Sequence, residues 1–201
     1  MTKAKFVIVP MLLACLIFSC SSTSQDENES GYVRDACSVT RYRDLCVHSL
    51  APFSNTAKRN PIRWARAGVS VTIAESKRVA HYMAVISKNN KRANQTRRRN
   101  GIALSDCVEC FQDTLDNLHK SLFVLRELSV GEFDSQVEDV TTWVSAALTD
   151  EDTCLDGFDE QRGKRVRYIV NRVSNVTCMT SNALALINKL ATTGPDCLVN
   201  D

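Results

Sequence analysis

From Thr141 to Glu160 the chain reads TTWVSAALTDEDTCLDGFDE. With the residues just before it, this stretch defines a helix. Val137, Val140, Val144, Ala147, Glu151 and Cys154 recur at steps of three and four, which places all six on one side. Glu151 alone breaks that apolar side. Ser135, followed three residues later by Glu138, has capping-box spacing and predicts a helix start near Asp134. Cys154 falls in the last turns, facing inward, where a disulfide to another helix would hold it. A long helix with one apolar side must bury that side against other elements.

Three more segments supply such elements. Pro61, with Asn60 as its cap, opens one helix. Ile62, Ala65, Val69, Thr72, Ser76, Val79, Met83 and Ile86 carry its rhythm to about Lys88. Leu104, Val108, Phe111, Leu115, Leu118, Leu122 and Leu125 alternate steps of four and three, the strongest heptad rhythm in the chain. Val166, Ile169, Val173, Val176, Thr180, Leu184 and Ile187 mark the last helix, ending near Ala191 and stopped by Gly194 and Pro195. The turns at Gly131 and between Gly157 and Gly163 are short, so neighbouring helices run antiparallel. With no strand signal, the expected fold class is all-α: an up-down-up-down four-helix bundle. Ahead of it, Tyr32 to Leu50 reads as two short helical pieces forming a hairpin. Pro52 and the polar run Ser54 to Asn60 read as a linker. Lys88 to Asn100 is basic and nonperiodic, which predicts a loop or a frayed helix end.

Lys3 and Lys5 precede an almost wholly apolar run from Phe6 to Phe18, and Ser19 to Ser24 supplies small residues, the pattern of a secretory signal peptide over residues 1–24. Its apolar core of about 13 residues is shorter than the roughly 20 that span a bilayer, so no membrane partner is expected. Residues 25–30 form a polar leader. The expected domain covers 31–192, with the hairpin at 31–55, the bundle at 60–192 and a tail at 193–201. Of 25 basic residues, two leave with the signal, and the remaining 23 balance 23 acidic ones. That balance implies no nucleic-acid partner.

Nine cysteines are present, of which Cys15 and Cys20 lie in the signal segment. The other seven would sit in an oxidising compartment. A Cys37–Cys46 disulfide would staple the hairpin. Cys107, near the start of the second bundle helix, and Cys154, near the end of the third, lie at one level of an antiparallel pair. A bridge there would constrain the unfolded chain by about 3–4 kcal/mol. Cys178 reads as a small buried thiol within the fourth helix. For Cys110 and Cys197 three states stay open: paired with each other, free, or paired between molecules. The Cys107-x-x-Cys110 spacing also fits a redox centre or half a zinc site. Asp106 and Glu109 oppose the lowered thiol pKa that redox chemistry needs, and nothing else in the chain offers zinc-ligand spacing. No metal and no cofactor is expected. Asn28, Asn94 and Asn175 head N-x-S/T sequons and are glycosylation candidates.

No catalytic pattern emerges. His48, His81 and His119 have no evident nucleophile or carboxylate partner, and G-x-S-x-G, H-E-x-x-H and P-loop motifs are missing. The acids from Asp150 to Glu160 are abundant rather than patterned as a glycosidase pair. The chain reads as a binding protein, not an enzyme.

Five segments give that reading a family. They are C-x8-C at Cys37 and Cys46, A-L-S-D-C at Ala103 to Cys107, S-V-G-E-F-D at Ser129 to Asp134, W-V-S-A-A-L-T…T-C-L-D-G-F from Trp143, and S-N-A-L-A-L-I from Ser181. In this order and at these separations they resemble the plant pectin methylesterase inhibitor and invertase inhibitor family, especially the pro-regions of plant pectin methylesterases. The resemblance implies a four-helix bundle with a helical hairpin and disulfides Cys37–Cys46 and Cys107–Cys154. It implies an unpaired thiol at Cys178; Cys110 and Cys197 depart from the pattern. It further implies a secreted, apoplastic cell-wall protein that covers the substrate cleft of a pectin methylesterase in a 1:1 complex. Carried over by position, the partner-binding candidates are Glu109, Asp113, Asp116, Glu132, Thr153 and Asp156. Carboxylates at an interface would make binding pH-dependent near about pH 4–5. Invertase-directed members often carry a Pro-Lys-Phe tripeptide, which this chain lacks, so acid invertase is the second expected target. A third reading has the basic run 91–99 holding pectin without inhibition.

Overall fold

The computed structural model describes residues 31–90 and 95–198, with backbone alone for 89, 90 and 95–100. The expected signal segment, the leader, Asn28, Asn94 and the first residues of the basic run lie outside the described residues. Four long helices dominate. We label residues 31–36 α1, then α2 (Arg43–Leu50), α3 (Ser54–Ala57), α4 (Pro61–Asn90), α5 (Gln95–Arg126), α6 (Phe133–Asp156) and α7 (Lys164–Thr193). Each of α4 to α7 packs on the next, and α7 closes back onto α4, giving the expected up-down-up-down bundle. No strand occurs among the described residues.

The apolar steps read from the sequence become the core. Val69, Leu118, Val137, Val144 and Ile187 fill one end. Met83, Phe111, Val173 and the Cys107–Cys154 bridge fill the other. Val33, the Cys37–Cys46 bridge, Leu50, Trp64 and Leu186 form a third cluster beneath the hairpin. Close helix approach is needed where α4 meets α7: a Cβ on Gly68 would come within 3.1 Å of Leu186 Cδ1. At the end of α7, Gly194 takes φ +78° and its N–H reaches Leu190 O at 3.3 Å, the left-handed exit that only glycine adopts at little cost.

Asn60 caps α4 as expected: its Oδ1 accepts from the N–H groups of Ile62 (2.8 Å) and Arg63 (3.1 Å). The structure refines several expectations. The Ser54–Asn60 linker contains α3, preceded by a 3₁₀ turn at Ala51–Phe53. Of the loop or frayed helix end expected over Lys88 to Asn100, the helical alternative holds at both margins, with α4 running to Asn90 and α5 starting at Gln95. A basic run without apolar rhythm can still extend a helix already nucleated downstream. The capping box at Ser135 does not form. A 3₁₀ turn at Val130–Glu132 leads directly into Phe133, and Ser135 Oγ instead donates to Glu132 O at 3.0 Å. The tail expected from residue 193 starts one residue late and carries a 3₁₀ turn at Pro195–Leu198.

Besides the apolar cluster beneath it, a buried side chain ties the hairpin to the bundle by hydrogen bonds. Asn182 Oδ1 accepts from Tyr42 N–H at 3.1 Å, and its Nδ2 donates to Tyr42 O at 2.9 Å. This gives the Asn of S-N-A-L-A-L-I a structural role: it accepts the N–H of Tyr42 and adds a second donor to Tyr42 O, which the Cys46 N–H also reaches at 2.9 Å.

Candidate functional site: an acidic edge between α5 and α6

The antiparallel pair α5–α6 is tied at one end by Cys107–Cys154, with Cα atoms 4.4 Å apart. Further along, Thr114 Oγ1 donates to Ala147 O at 3.5 Å and Asn117 Nδ2 to Asp150 Oδ2 at 3.4 Å. These cross-links fix how the two outer edges face solvent. Glu109, Asp113 and Asp116 follow steps of four and three along α5, and all three are exposed. On α6, Asp150 faces α5 and is half-buried, and Thr153 and Asp156, at further steps of three that turn progressively away from it, are exposed. Thr153 is not held ready as a donor, since its hydroxyl already reaches Thr149 O at 2.8 Å.

The charges on the two helices affect each other. Partial burial, and then the charge of Asp113, push the Asp150 carboxyl above the usual aspartate range, and the Asn117 hydrogen bond opposes them. Cys110 is half-buried beside them. Burial raises its thiol pKa, the charges of Asp150, Asp113 and Asp106 raise it further, and a backbone hydrogen bond opposes them. Acidic charge along this seam therefore disfavours ionisation of both Asp150 and the Cys110 thiol. Cys107 bonds to Cys154 rather than Cys110, which removes the redox reading of the Cys-x-x-Cys spacing. Among the described residues Cys110 and Cys178 form no disulfide, and Cys178 is half-buried rather than enclosed.

One predicted site residue stands apart. Glu132 lies in the turn before α6, 21 positions ahead of Thr153, or roughly 30 Å along the helix axis. Conversely, the residue-by-residue reading left out Asp150, Asn117 and Cys110, which the fold brings into the groove. Asp150 carries no local signal that sets it apart from the acids around it; only the approach of α5 distinguishes it.

On its inner edge α6 carries a different acid. Glu151 is fully buried, and Thr180 Oγ1 of α7 donates to its Oε1 at 2.7 Å. Burial pushes its pKa up to about 8; Asp152 and Asp150 push the same way, and the Thr180 and Thr177 hydroxyls oppose. At neutral pH and below this side chain is a neutral hydrogen-bonding group of the core. The three histidines are exposed and lie on separate helices, His48 on α2, His81 on α4 and His119 on α5. Asn175 is half-buried in the middle of α7, its Nδ2 3.7 Å from Met179 Sδ. Among the described residues, no cluster of three or more His, Cys, Asp or Glu side chains could hold a metal, and no helix is long and apolar enough to cross a membrane.

Comparison with known proteins agrees with this architecture. Residues 31–186 match the family model described as plant invertase/pectin methylesterase inhibitor. The chain is 51% identical over 167 residues to an Arabidopsis thaliana protein named Pectinesterase inhibitor 6, covering 82% of this chain and 78% of that protein. It is 34% identical over 193 residues to Pectinesterase inhibitor 9 of the same species, covering 92% of this chain and 93% of that one. The crystal structure of a mutant form of a pectin methylesterase inhibitor from Arabidopsis superposes with a TM-score of 0.60 at 21% identity, over 76% of this chain and 92% of that one, which speaks to the fold alone. The bundle, its two disulfides and these matches lead to one conclusion: the chain belongs to the plant invertase/pectin methylesterase inhibitor family.

Proposed function

We propose that this protein is a secreted inhibitor that binds a pectin methylesterase one-to-one and occludes its substrate cleft, with no catalytic activity of its own. The observation that carries the reading is the 51% identity to Pectinesterase inhibitor 6. The geometry adds a physical route. A disulfide-clamped helix pair presents Glu109, Asp113, Asp116, Asp150 and Asp156 as a preformed acidic edge. A partner surface of opposite charge is then steered to it, and little conformational entropy is lost on docking because the helices are already fixed. Two disulfides and the N-terminal apolar run support export to an oxidising compartment such as the cell wall. Of the candidate contacts, Glu109, Asp113 and Asp116 share one side of α5, Thr153 and Asp156 are exposed on the neighbouring α6, and Glu132 would be reached only at the edge of a footprint of about 800 Å² per partner.

The test is a titration of pectin methylesterase activity with the mature protein, alongside acid invertase, which the family description also covers. Stoichiometric loss of esterase activity alone is the expected result. Loss of invertase activity alone would transfer the same surface to the other target. Salt-sensitive binding to polygalacturonate without any inhibition would favour the pectin reading of residues 91–99.

A further inference from the structure

The outward side of α5 is not purely acidic. Ile102, Glu109, Asp116 and Phe123 are separated by seven residues each. A straight helix drifts by about 20° per heptad, so the four stay within one side of α5. Ile102 is 57% exposed and Phe123 67%, the two most exposed large apolar side chains of this helix. The opposite side of the same helix buries Phe111, Leu118 and Leu125 completely. Single exposed apolar residues are ordinary on protein surfaces and need no explanation. Two of them in heptad register, bracketing two exposed carboxylates on a helix whose other side is fully used, form a pattern.

Ile102 and Phe123 are 21 residues apart, roughly 30 Å along the axis, which is also the width of a standard one-sided protein footprint of about 800 Å². Lys120 follows Asp116 by one turn, but Asp106, Glu109, Asp113 and Asp116 leave this stretch net acidic. We propose that Ile102 and Phe123 are the two apolar anchors of the inhibitory face, and that α5 lies lengthwise in an elongated partner cleft that is basic in its middle and apolar toward both ends. This rests on the inhibitor reading, and the occupant is the substrate cleft of the pectin methylesterase. Charge supports that choice. Demethylesterified pectin is a chain of carboxylates, so a cleft that holds it accepts negative charge at intervals along its length. Glu109 and Asp116, about 10 Å apart along α5, offer the same chemistry on a rigid rod. Such a helix-in-groove arrangement takes its affinity from apolar side chains at the ends and its register from the charges between them.

Inhibition constants against a pectin methylesterase that the wild-type protein inhibits test this directly, using Ile102→Ser, Phe123→Ser and, as a control of similar exposure on α4, Val85→Ser (Val85 is 45% exposed). All three replace surface residues, and melting temperatures check that the fold persists. Ile102→Ser and Phe123→Ser are expected to weaken inhibition by about 10- to 100-fold each, with Val85→Ser within about twofold of wild type. Wild-type inhibition by both α5 variants would overturn the anchors and leave the inhibitor reading standing. Equal weakening by Val85→Ser would also overturn them. A wild-type protein that inhibits no esterase would remove the inhibitor reading and the anchors together.

Discussion

Asp150 and Glu151 are consecutive residues of α6, yet they belong to different regions. Asp150 turns toward α5 at the outer groove, half-buried, with Asn117 and Asp113 for company. Glu151 turns toward α7 in the core, fully buried against Thr180. Both carboxyls are pushed upward by burial, but the consequences oppose each other. A charge at Asp150 is what a basic partner would attract, so acid weakens that contact. A charge at Glu151 must be desolvated inside the bundle, so acid relieves the core. One residue of helical phase, about 100° of rotation, therefore separates a group suited to recognition from one that governs stability.

The largest expected effect concerns Glu151. The folded protein keeps its proton up to about pH 8, whereas an unfolded chain releases it near 4.5. Between those values the unfolded state binds fewer protons, so stability falls as pH rises. The contribution is intact below about pH 4.5 and lost toward pH 8, on the order of 5 kcal/mol in all. Chemical denaturation at pH 5 and pH 8 should show this decline, and Glu151→Gln, neutral and of the same shape, should flatten it. Parallel profiles for the two proteins would show that the buried acid is not what sets the pH dependence.

Next in size is the clamp on the other seam. Replacing Cys107 and Cys154 together by alanine should cost about 3–4 kcal/mol of stability. Because the bridge fixes α5 against α6, the partner affinity of the still-folded fraction should fall as well. Unchanged affinity would mean that the groove's hydrogen bonds suffice to hold the acidic edge. Asn60→Ala removes a cap remote from both seams and should lower stability by about 1 kcal/mol without altering the pH profile or inhibition. Asp150→Asn should have the smallest effect. We expect inhibition at neutral pH to weaken by roughly two- to fivefold, and the further weakening on acidification to become shallower than in wild type, as read from inhibition constants across about pH 4–7.

These contrasts show what the sequence could and could not reveal. The steps of three and four through Val137, Val144 and Cys154 identified the buried side of α6, and Glu151 was visible as the one acid on it, because periodicity reports which way a side chain turns from its own axis. It does not report which neighbour that side meets. Asp150 was therefore indistinguishable from the solvated acids around it until α5 was seen beside it, and the polar contact of Asn182 with Tyr42, 140 positions away, left no local trace. Helix ends were the least legible. The helix starts at Phe133, one residue before the expected Asp134, and the capping box at Ser135 gives way to a 3₁₀ turn ending at Glu132, since a buried Phe133 gains more by entering the core than a surface cap contributes. The start of α5 lay in a run with no apolar rhythm, where periodicity is silent. Glu132 illustrates a different gap: the family pattern carries its position, but only the fold shows that it stands a helix length from Thr153.

The most direct measurement is a titration of a purified pectin methylesterase with the mature, disulfide-intact protein at apoplastic and neutral pH. Activity should fall linearly to its floor at one inhibitor per enzyme, more tightly at neutral pH than in acid. Full esterase activity in the presence of excess folded protein, at both pH values, would contradict the account.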